Sequence, residues 1–364
     1  MNRRWPARAA HAGAQGGFIL LTVIAILVIL VLLAAAAATT TSRVRADQGR
    51  DDARLAGEID DFSTRATVLY LLATQRLTFG GLTVDDQMRL TADEQAAKDD
   101  GEDTYSNLPI GNELLLDNSL YHGLGTSLFA LQADSGRLSV NWSNPALLER
   151  WLINLKVPLE QQGPLFAKLL DYQDPDDVYR LNGAEAEQYR AADRAPPPNR
   201  ALATPLELHR VLGWDKALAG LDDQQLLDTV TVARSAQINV NTAPASVLQL
   251  LPGVTADMAA RVVAMRQLQA FYQYWAVYEV LPTVPPDLDL VSLHPGGSGT
   301  IEIWPDAGTA GSLLHWTLTP FDDGGHPWRI DYELGLSARP RGERAPVREA
   351  ATPLLAHPIA AHPR

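Results

Sequence analysis

From Phe18 to Ala38 the chain runs for 21 residues without a charge, a proline or a glycine. At about 1.5 Å rise per residue such a helix is roughly 31 Å long, enough to cross a hydrocarbon layer of about 30 Å. A helix also satisfies its own backbone hydrogen bonds in lipid, which a lone strand does not. Ahead of it stand Arg3, Arg4 and Arg8 and no acidic residue. The positive-inside rule therefore keeps that end in the cytoplasm and sends the rest to the other side. A secretory peptide has an apolar region of only about 7–15 residues, so the reading is a retained, single-pass membrane helix over 18–38.

Helical patterning continues beyond it. Leu55, Ile59, Phe62, Ala66, Leu69 and Ala73 recur at spacings of four and three, which aligns them as one apolar stripe. Asp51, Asp52, Arg54, Glu58, Asp60, Asp61 and Arg65 form a solvated face between them. No proline interrupts the chain from Phe18 to Leu108. One long helix is predicted to about Leu77, with an amphipathic continuation over 39–78 and a bend, if any, at Gly49 or Gly57. Its outer half needs a packing partner, and a sheet is the expected one.

Strand signals occur in two distant places. Ser127 to Trp142 reads as two alternating strands around the turn residues Asp134, Ser135 and Gly136. Thr300–Trp304, Leu313–Leu318 and Trp328–Leu334 read as three more, with Gly, Pro and Asp marking the turns. Between them, from about residue 143 to 286, the signals are nearly all helical. The expected fold class is α+β: a long N-terminal helix packed on an antiparallel sheet, with an all-helical domain inserted in that sheet. The sections run 79–142, 143–286 (the insertion) and 287–337. A tail, 338–364, holds five Pro and five Arg in 27 residues and reads as disordered. The formal charge of −13 argues against a large nucleic-acid footprint, and the absence of cysteine removes disulfides and thiolate metal sites.

Two stretches of the insertion carry chemistry. In "LLDYQDPDDVYRLNGAEAEQY", Asp171, Asp174, Asp176 and Asp177 lie within seven residues, with Glu185 and Glu187 soon after. Hard oxygen ligands packed this densely suit Ca²⁺, although the spacing is not that of an EF-hand. A solvated acidic loop, with Asp174 capping a turn at Pro175, is the alternative. In "QINVNTAPASVLQLLPGVTADMAARVVAMRQ", Asn239 and Thr242 offer caps, and Pro252 and Gly253 separate two helices. Met258, Val262 and Met265 are expected to point inward. This is a helix-hairpin-helix pattern, a motif that binds DNA backbones in many proteins. Only Arg261 and Arg266 stand near it, and phosphate binding wants several cations, so a structural hairpin is favoured. The eight histidines show no metal-ligand spacing, and no nucleophile elbow, HExxH or Walker loop occurs. His315 lies in a strand pattern and reads as a packing or surface residue. The chain is not read as an enzyme.

The basic leader ending in Gly16 and Gly17, followed by Phe18 and an apolar helix that turns amphipathic, resembles a class III prepilin signal. That resemblance implies a leader over 1–17, cleavage by a prepilin peptidase between Gly17 and Phe18, and methylation of the new Phe18 amino group. Most pilin-like proteins carry Glu at the fifth mature position, where the carboxylate pairs with the terminal amine of the subunit ahead. Here that position is Thr22. A subunit with no neighbour ahead has no amine to pair, so an uncharged residue fits the tip of a filament.

With the insertion, this narrows the resemblance to the K-type minor pseudopilins of type II secretion (the GspK family). The similar segments are "GRLSVNWSN" (136–144), "DYQDPDDVYRLNGAEAEQY" (171–189), "NRALATPLELHRVLGW" (199–214) and "INVNTAPASVLQLLPGV" (238–254). The segment 294–311 departs from the family's usual ending. The resemblance implies calcium as cofactor, with Asp171, Asp174, Asp176, Asp177 and Glu185 as candidate ligands. It implies the I- and J-type minor pseudopilins and the major pseudopilin as partners, met through Leu55, Ile59, Phe62 and Leu69. The location implied is the inner membrane with the main domain in the periplasm. A membrane-anchored DNA-uptake receptor using the hairpin at Pro252–Thr255, or a minor type IV pilin, are the competing readings.

Overall fold

The computed structural model describes residues 16–84, 107–142, 144–286, 289–305, 310–320, 325–337 and 346–356, with side chains from Leu20 onward. Residues 1–15 of the leader lie outside the described residues, as do the tail's 338–345 and 357–364. The chain divides into two compact units, Met1–Ala56 and Gly57–Arg364.

In the first unit, helix α1 (Gly16–Thr74) begins and exposes its large apolar side chains from Leu20 to Leu33. It is the one helix among the described residues long and apolar enough to cross a membrane, a single-pass anchor by length and composition. Thr22 is exposed on it. Past the apolar run, the hydroxyls of Thr40, Thr41 and Ser42 donate to the carbonyls of Ala36, Ala37 and Ala38, four residues back, at 2.7–2.8 Å. These bonds turn the hydroxyls onto their own helix, and the helix continues through Gly49 and Gly57.

In the second unit the last turns of α1 lie against a five-stranded antiparallel sheet. Its strands are β3 (Asp117–His122), β4 (Leu128–Ala133), β9 (Ser298–Trp304), β10 (Gly311–Leu318) and β11 (Trp328–Leu336), in the order β11-β10-β9-β4-β3. A small hairpin, β1 (Leu77–Thr78) and β2 (Gly81–Leu82), follows α1. The buried stripe of α1 is Thr64, Val68, Leu71 and Leu72, packed on Phe129, Leu131, Ile301, Ile303 and Trp316. Alternate residues of the same strands, Leu128, Ala130, Trp304 and Leu313, pack on the other face with Leu227 of the insertion. Covered on both sides, β4 is buried at every position, which is why its sequence reads as a continuous apolar run.

The insertion leaves after β4 and returns before β9. It holds α2 (Pro145–Asn154), α3 (Leu159–Gln173), α4 (Ala186–Ala191), α5 (Trp214–Ala217), α6 (Asp223–Thr229), α7 (Ala245–Leu248), α8 (Ala256–Leu268) and α9 (Tyr274–Val280). Two short parallel ladders add β5 (Leu138–Ser139) to β6 (Val230–Thr231) and β7 (Ile238–Asn239) to β8 (Val291–Ser292). Their core gathers Trp151, Leu169, Tyr189, Leu208, Trp214 and Leu248, among others.

Four expectations are corrected. The second strand expected within 127–142 does not pair back on β4. Asp134–Gly136 forms a 3₁₀ turn that carries the chain into the insertion, where β5 pairs with β6 instead. Strand β3 went unpredicted because it opens on turn formers, with Asn118 at φ +65° and a register shift between Asp117 and Leu120. Leu69 is buried at 7% exposure and belongs to the core under the helix. The tail is ordered over 346–356: Arg348 donates its amide to Leu120 O (2.8 Å) and accepts from His122 N (3.0 Å), and Leu355 enters the sheet core. That stretch covers the free edge of β3, which otherwise presents open backbone groups.

Candidate metal centre and its surroundings

Asp171, whose side chain is fully buried, lies in the last turn of helix α3, and Asp174 caps that helix. The chain loops out and returns at Glu185, which precedes α4 and is buried at 5% exposure. One carboxylate oxygen from each of Asp171, Asp174 and Glu185 lies within 4.8 Å of the others. The return is tight. A Cβ at Gly183 would stand 1.9 Å from Asp171 Oδ2, and that oxygen accepts from Ala184 N at 2.9 Å. Only glycine lets the backbone approach the carboxylate this closely.

Arg180 supplies the cluster's internal countercharge. Its guanidinium donates to Asp171 Oδ1 at 2.8 Å and also to Asp174 Oδ2. It does not reach Glu185: both Glu185 oxygens and Asp174 Oδ1 are buried without a hydrogen-bond partner. Burial, followed by the charges of Asp171, Asp174, Asp177 and Asp176, pushes the Glu185 carboxyl up to about 7. Three convergent carboxylates, two of them with unpartnered oxygens, fit a hard divalent cation. Asp176 and Asp177 are not brought in. Asp176 Oδ1 accepts from Val178 N at 2.8 Å, and Asp177 Oδ1 accepts from Asn199 Nδ2 at 3.0 Å.

The helix-hairpin-helix region is built inward. Asn239 and Thr242 do not cap a helix; Pro244 precedes α7, and Asn239 Oδ1 accepts from Asn241 N at 2.8 Å. Gly253, at φ +69°, would place a Cβ 2.7 Å from Thr283, so the hairpin tip is packed against its own domain. Val262 is buried as expected, whereas Met265 is exposed. Arg266 is buried, donating to the carbonyls of Val240 and Ala243 and pairing with Asp117 at 3.3 Å. That cation is therefore committed within the fold.

A second charged cluster went unread in the sequence because its members lie on β10, β11 and the turn after β4. His315 is buried, its Nε2 2.8 Å from Asp134 Oδ2 and its Nδ1 2.8 Å from Asp331 Oδ2. A neutral imidazole donates from one nitrogen only, so two carboxylate contacts call for the imidazolium. Burial opposes that charge, but Asp134 and Asp331 outweigh it and raise His315 to about 9. Asp134 in turn accepts from Thr231 Oγ1 of the insertion at 2.7 Å, joining sheet and insertion.

Of the candidate partner-binding residues, Leu55, Ile59 and Phe62 are exposed by more than half. The helix carries two apolar stripes, and the sheet takes the one through Val68, Leu71 and Leu72.

Residues 127–235 match the family model described as "Type II secretion system (T2SS), protein K". Comparison with curated protein sequences returned no match. Among solved structures, a chain of the GspK-GspI-GspJ complex from the type 2 secretion system of enterotoxigenic Escherichia coli is similar at 14% identity and a TM-score of 0.47. The likeness covers 81% of this chain and all of that one. The matched stretch, from just before β4 through the acidic loop to the end of β6, contains three of the segments singled out in the sequence. Over that stretch the chain is similar to protein K of type II secretion.

Proposed function

We propose that this protein sits at the tip of the type II secretion pseudopilus, where it nucleates and caps the filament. The observation that carries the reading is the insertion between β4 and β9, a bulky helical body within a pilin-like sheet. Such a body would obstruct a further subunit above it. Thr22 supports the same reading, since it has no carboxylate to offer the terminal amine of a subunit ahead.

The role is mechanical. After a prepilin peptidase cuts between Gly17 and Phe18, and Phe18 is methylated, the helix stays in the inner membrane with the main domain in the periplasm. The I- and J-type minor pseudopilins would pack on the exposed helix residues Leu55, Ile59 and Phe62. GspI and GspJ are the proteins named with GspK in the similar solved complex. Extension by major pseudopilin below would then push exported proteins outward. Calcium held by Asp171, Asp174 and Glu185 would close the acidic loop by drawing carboxylates from α3 and the start of α4 together.

The test is co-purification of the full chain, in detergent, with I- and J-type pseudopilins, in calcium and in EGTA. A complex that forms with the parent protein and is lost in Ile59→Asp/Phe62→Asp supports the reading. A parent protein that assembles with neither partner overturns it.

A further inference from the structure

Thirty residues of this chain are basic, and only four of them are lysines: Lys98, Lys156, Lys168 and Lys216. Lys98 lies outside the described residues. The other three line a single cleft of about 360 Å³ in the insertion. They arrive from separate places: Lys156 from the connection after α2, Lys168 from α3 and Lys216 from α5. A local run of charge does not explain this gathering, because about 60 residues separate the first from the last.

The cleft is a cationic spot on a chain whose formal charge is −13. Among the described residues none of the three lysines has an ion-pair partner, and Asp215 beside Lys216 is paired with Arg194 at 3.0 Å. Glu160 is the one carboxylate in the lining. A helix C-terminus accounts for Lys156, which follows the C-cap Leu155 of α2 at φ +61°. It does not account for Lys168 or Lys216. The cleft floor is also shaped by a glycine. Gly213 sits at φ +88°, and a Cβ there would lie 3.6 Å from Lys168 Nζ, so the ammonium hangs over bare backbone. Beside Glu160 and Gln161, the rest of the lining is apolar, with Leu155, Val157, Pro158 and Leu165 among it.

We propose that this cleft binds a small phosphate-bearing ligand, with Lys156, Lys168 and Lys216 as its cationic contacts. A phosphate group concentrates up to two negative charges in one small tetrahedron, and lysine meets phosphate as a compact point charge with three donors. Its volume falls at the small end of ligand sites, which span about 300–1,000 Å³, and is a poor fit for a peptide segment. The apolar walls accommodate the body that carries the phosphate. That phosphate comes either from a soluble phosphoester or from a lipid headgroup.

The experiment uses the full chain in nonionic detergent micelles at low salt. Calorimetric titration with inorganic pyrophosphate tests the soluble source. Phosphorus NMR of micelles doped with phosphatidylglycerol, read as broadening of the lipid phosphate signal, tests the headgroup. Binding in either arm supports the cleft and identifies the source. Each lysine replaced should weaken binding about fivefold, the Boltzmann factor for unit charges in contact in water. The combined Lys156→Gln, Lys168→Gln, Lys216→Gln variant should therefore bind about a hundredfold more weakly at an unchanged Tm. The matching triple arginine variant should retain binding. If the triple glutamine variant misfolds, the exposed Lys216→Gln change alone carries the test. Silence in both arms overturns the proposal, as does binding that the glutamine variants leave intact. Capture of an oligoglutamate peptide in preference to pyrophosphate also overturns it and reassigns the cleft to an acidic protein partner.

Discussion

Two groups of carboxylates in this protein look alike on paper and are solved differently. In the sheet, Asp134 and Asp331 grip His315 from both ring nitrogens, and Arg329 adds a bond to Asp331 at 2.7 Å. In the insertion, Asp171, Asp174 and Glu185 converge, but the single guanidinium of Arg180 answers only the two aspartates. The sheet cluster carries its own cation at its centre. The loop cluster carries its cation to one side, on a side chain 44% exposed, and leaves Glu185 buried and unanswered. Counting acids does not separate the two cases. The position of the countercharge does: the first cluster is complete as folded, and the second leaves Glu185 without one.

The largest expected effect comes from breaking the complete cluster. Asp134→Ala leaves an imidazolium buried beside one remaining carboxylate and also removes the acceptor of Thr231. Stripping one partner from a buried pair costs about 3–5 kcal/mol. Denaturant unfolding of the full chain should show a loss in that range. A loss under about 1 kcal/mol would mean that the joint between sheet and insertion does not depend on the clamp.

The same cluster predicts a pH dependence. His315 is raised to about 9 in the fold against an ordinary 6.5, so the folded state holds its proton more tightly than the unfolded chain. Its contribution is fully present below about pH 6.5 and is lost as the pH rises through about 9. The ring is faced by Asp134 from the turn after β4, Asp331 and the stacked Tyr332 from β11, and Arg137 near Asp134. Burial raises Asp134, but His315 and Arg137 outweigh it and hold the carboxyl low, so the pair stays ionised through this window. Unfolding free energy should fall by about 3 kcal/mol across it, and His315→Gln should flatten the decline.

Calcium should then distinguish the second cluster from the first. Ligand at a hundred times its Kd stabilises the fold by about 2.7 kcal/mol. The expected result is a rise in Tm with calcium and a return with EGTA, abolished by Glu185→Gln and Asp171→Asn. Asp176→Asn should leave the response intact, because Asp176 is engaged by the backbone of Val178. A parent protein whose Tm ignores calcium would sink the assignment of Asp171, Asp174 and Glu185 as ligands.

Legibility in the sequence followed the range over which each signal acts. The membrane helix and strands β9 to β11 were readable because charge-free length and period-two alternation are local. The acidic residues of the loop stood out as a group, since all five lie within 15 positions. Which three converge was not: that depends on Gly183 bringing the return strand against Asp171 and on Asn199 holding Asp177 aside, both tertiary facts. The stripe through Leu69 was misassigned because α1 offers apolar residues on more than one side, and only the sheet decides which side is buried. Strand β3 was hidden by Asp117 and Asn118 at its start. The His315 clamp was illegible, since its two carboxylates stand 181 and 16 residues away from the ring.

The smallest effect sharpens the comparison most. If Arg180 is a stand-in for an external cation, removing it should work in opposite directions with and without calcium. In EGTA, Arg180→Gln loses its charge-assisted bonds to Asp171 and Asp174, and the fold should weaken by about 1 kcal/mol. Asp171 keeps its amide bond from Ala184, which limits the damage. In calcium the same change removes a competitor for two carboxylates and its repulsion of the ion, so affinity should rise by about tenfold. Isothermal titration with calcium, alongside unfolding in EGTA, reads both signs on one protein. Weaker calcium binding in Arg180→Gln would make Arg180 an organiser of the loop, and the contrast with His315 would then narrow to exposure alone.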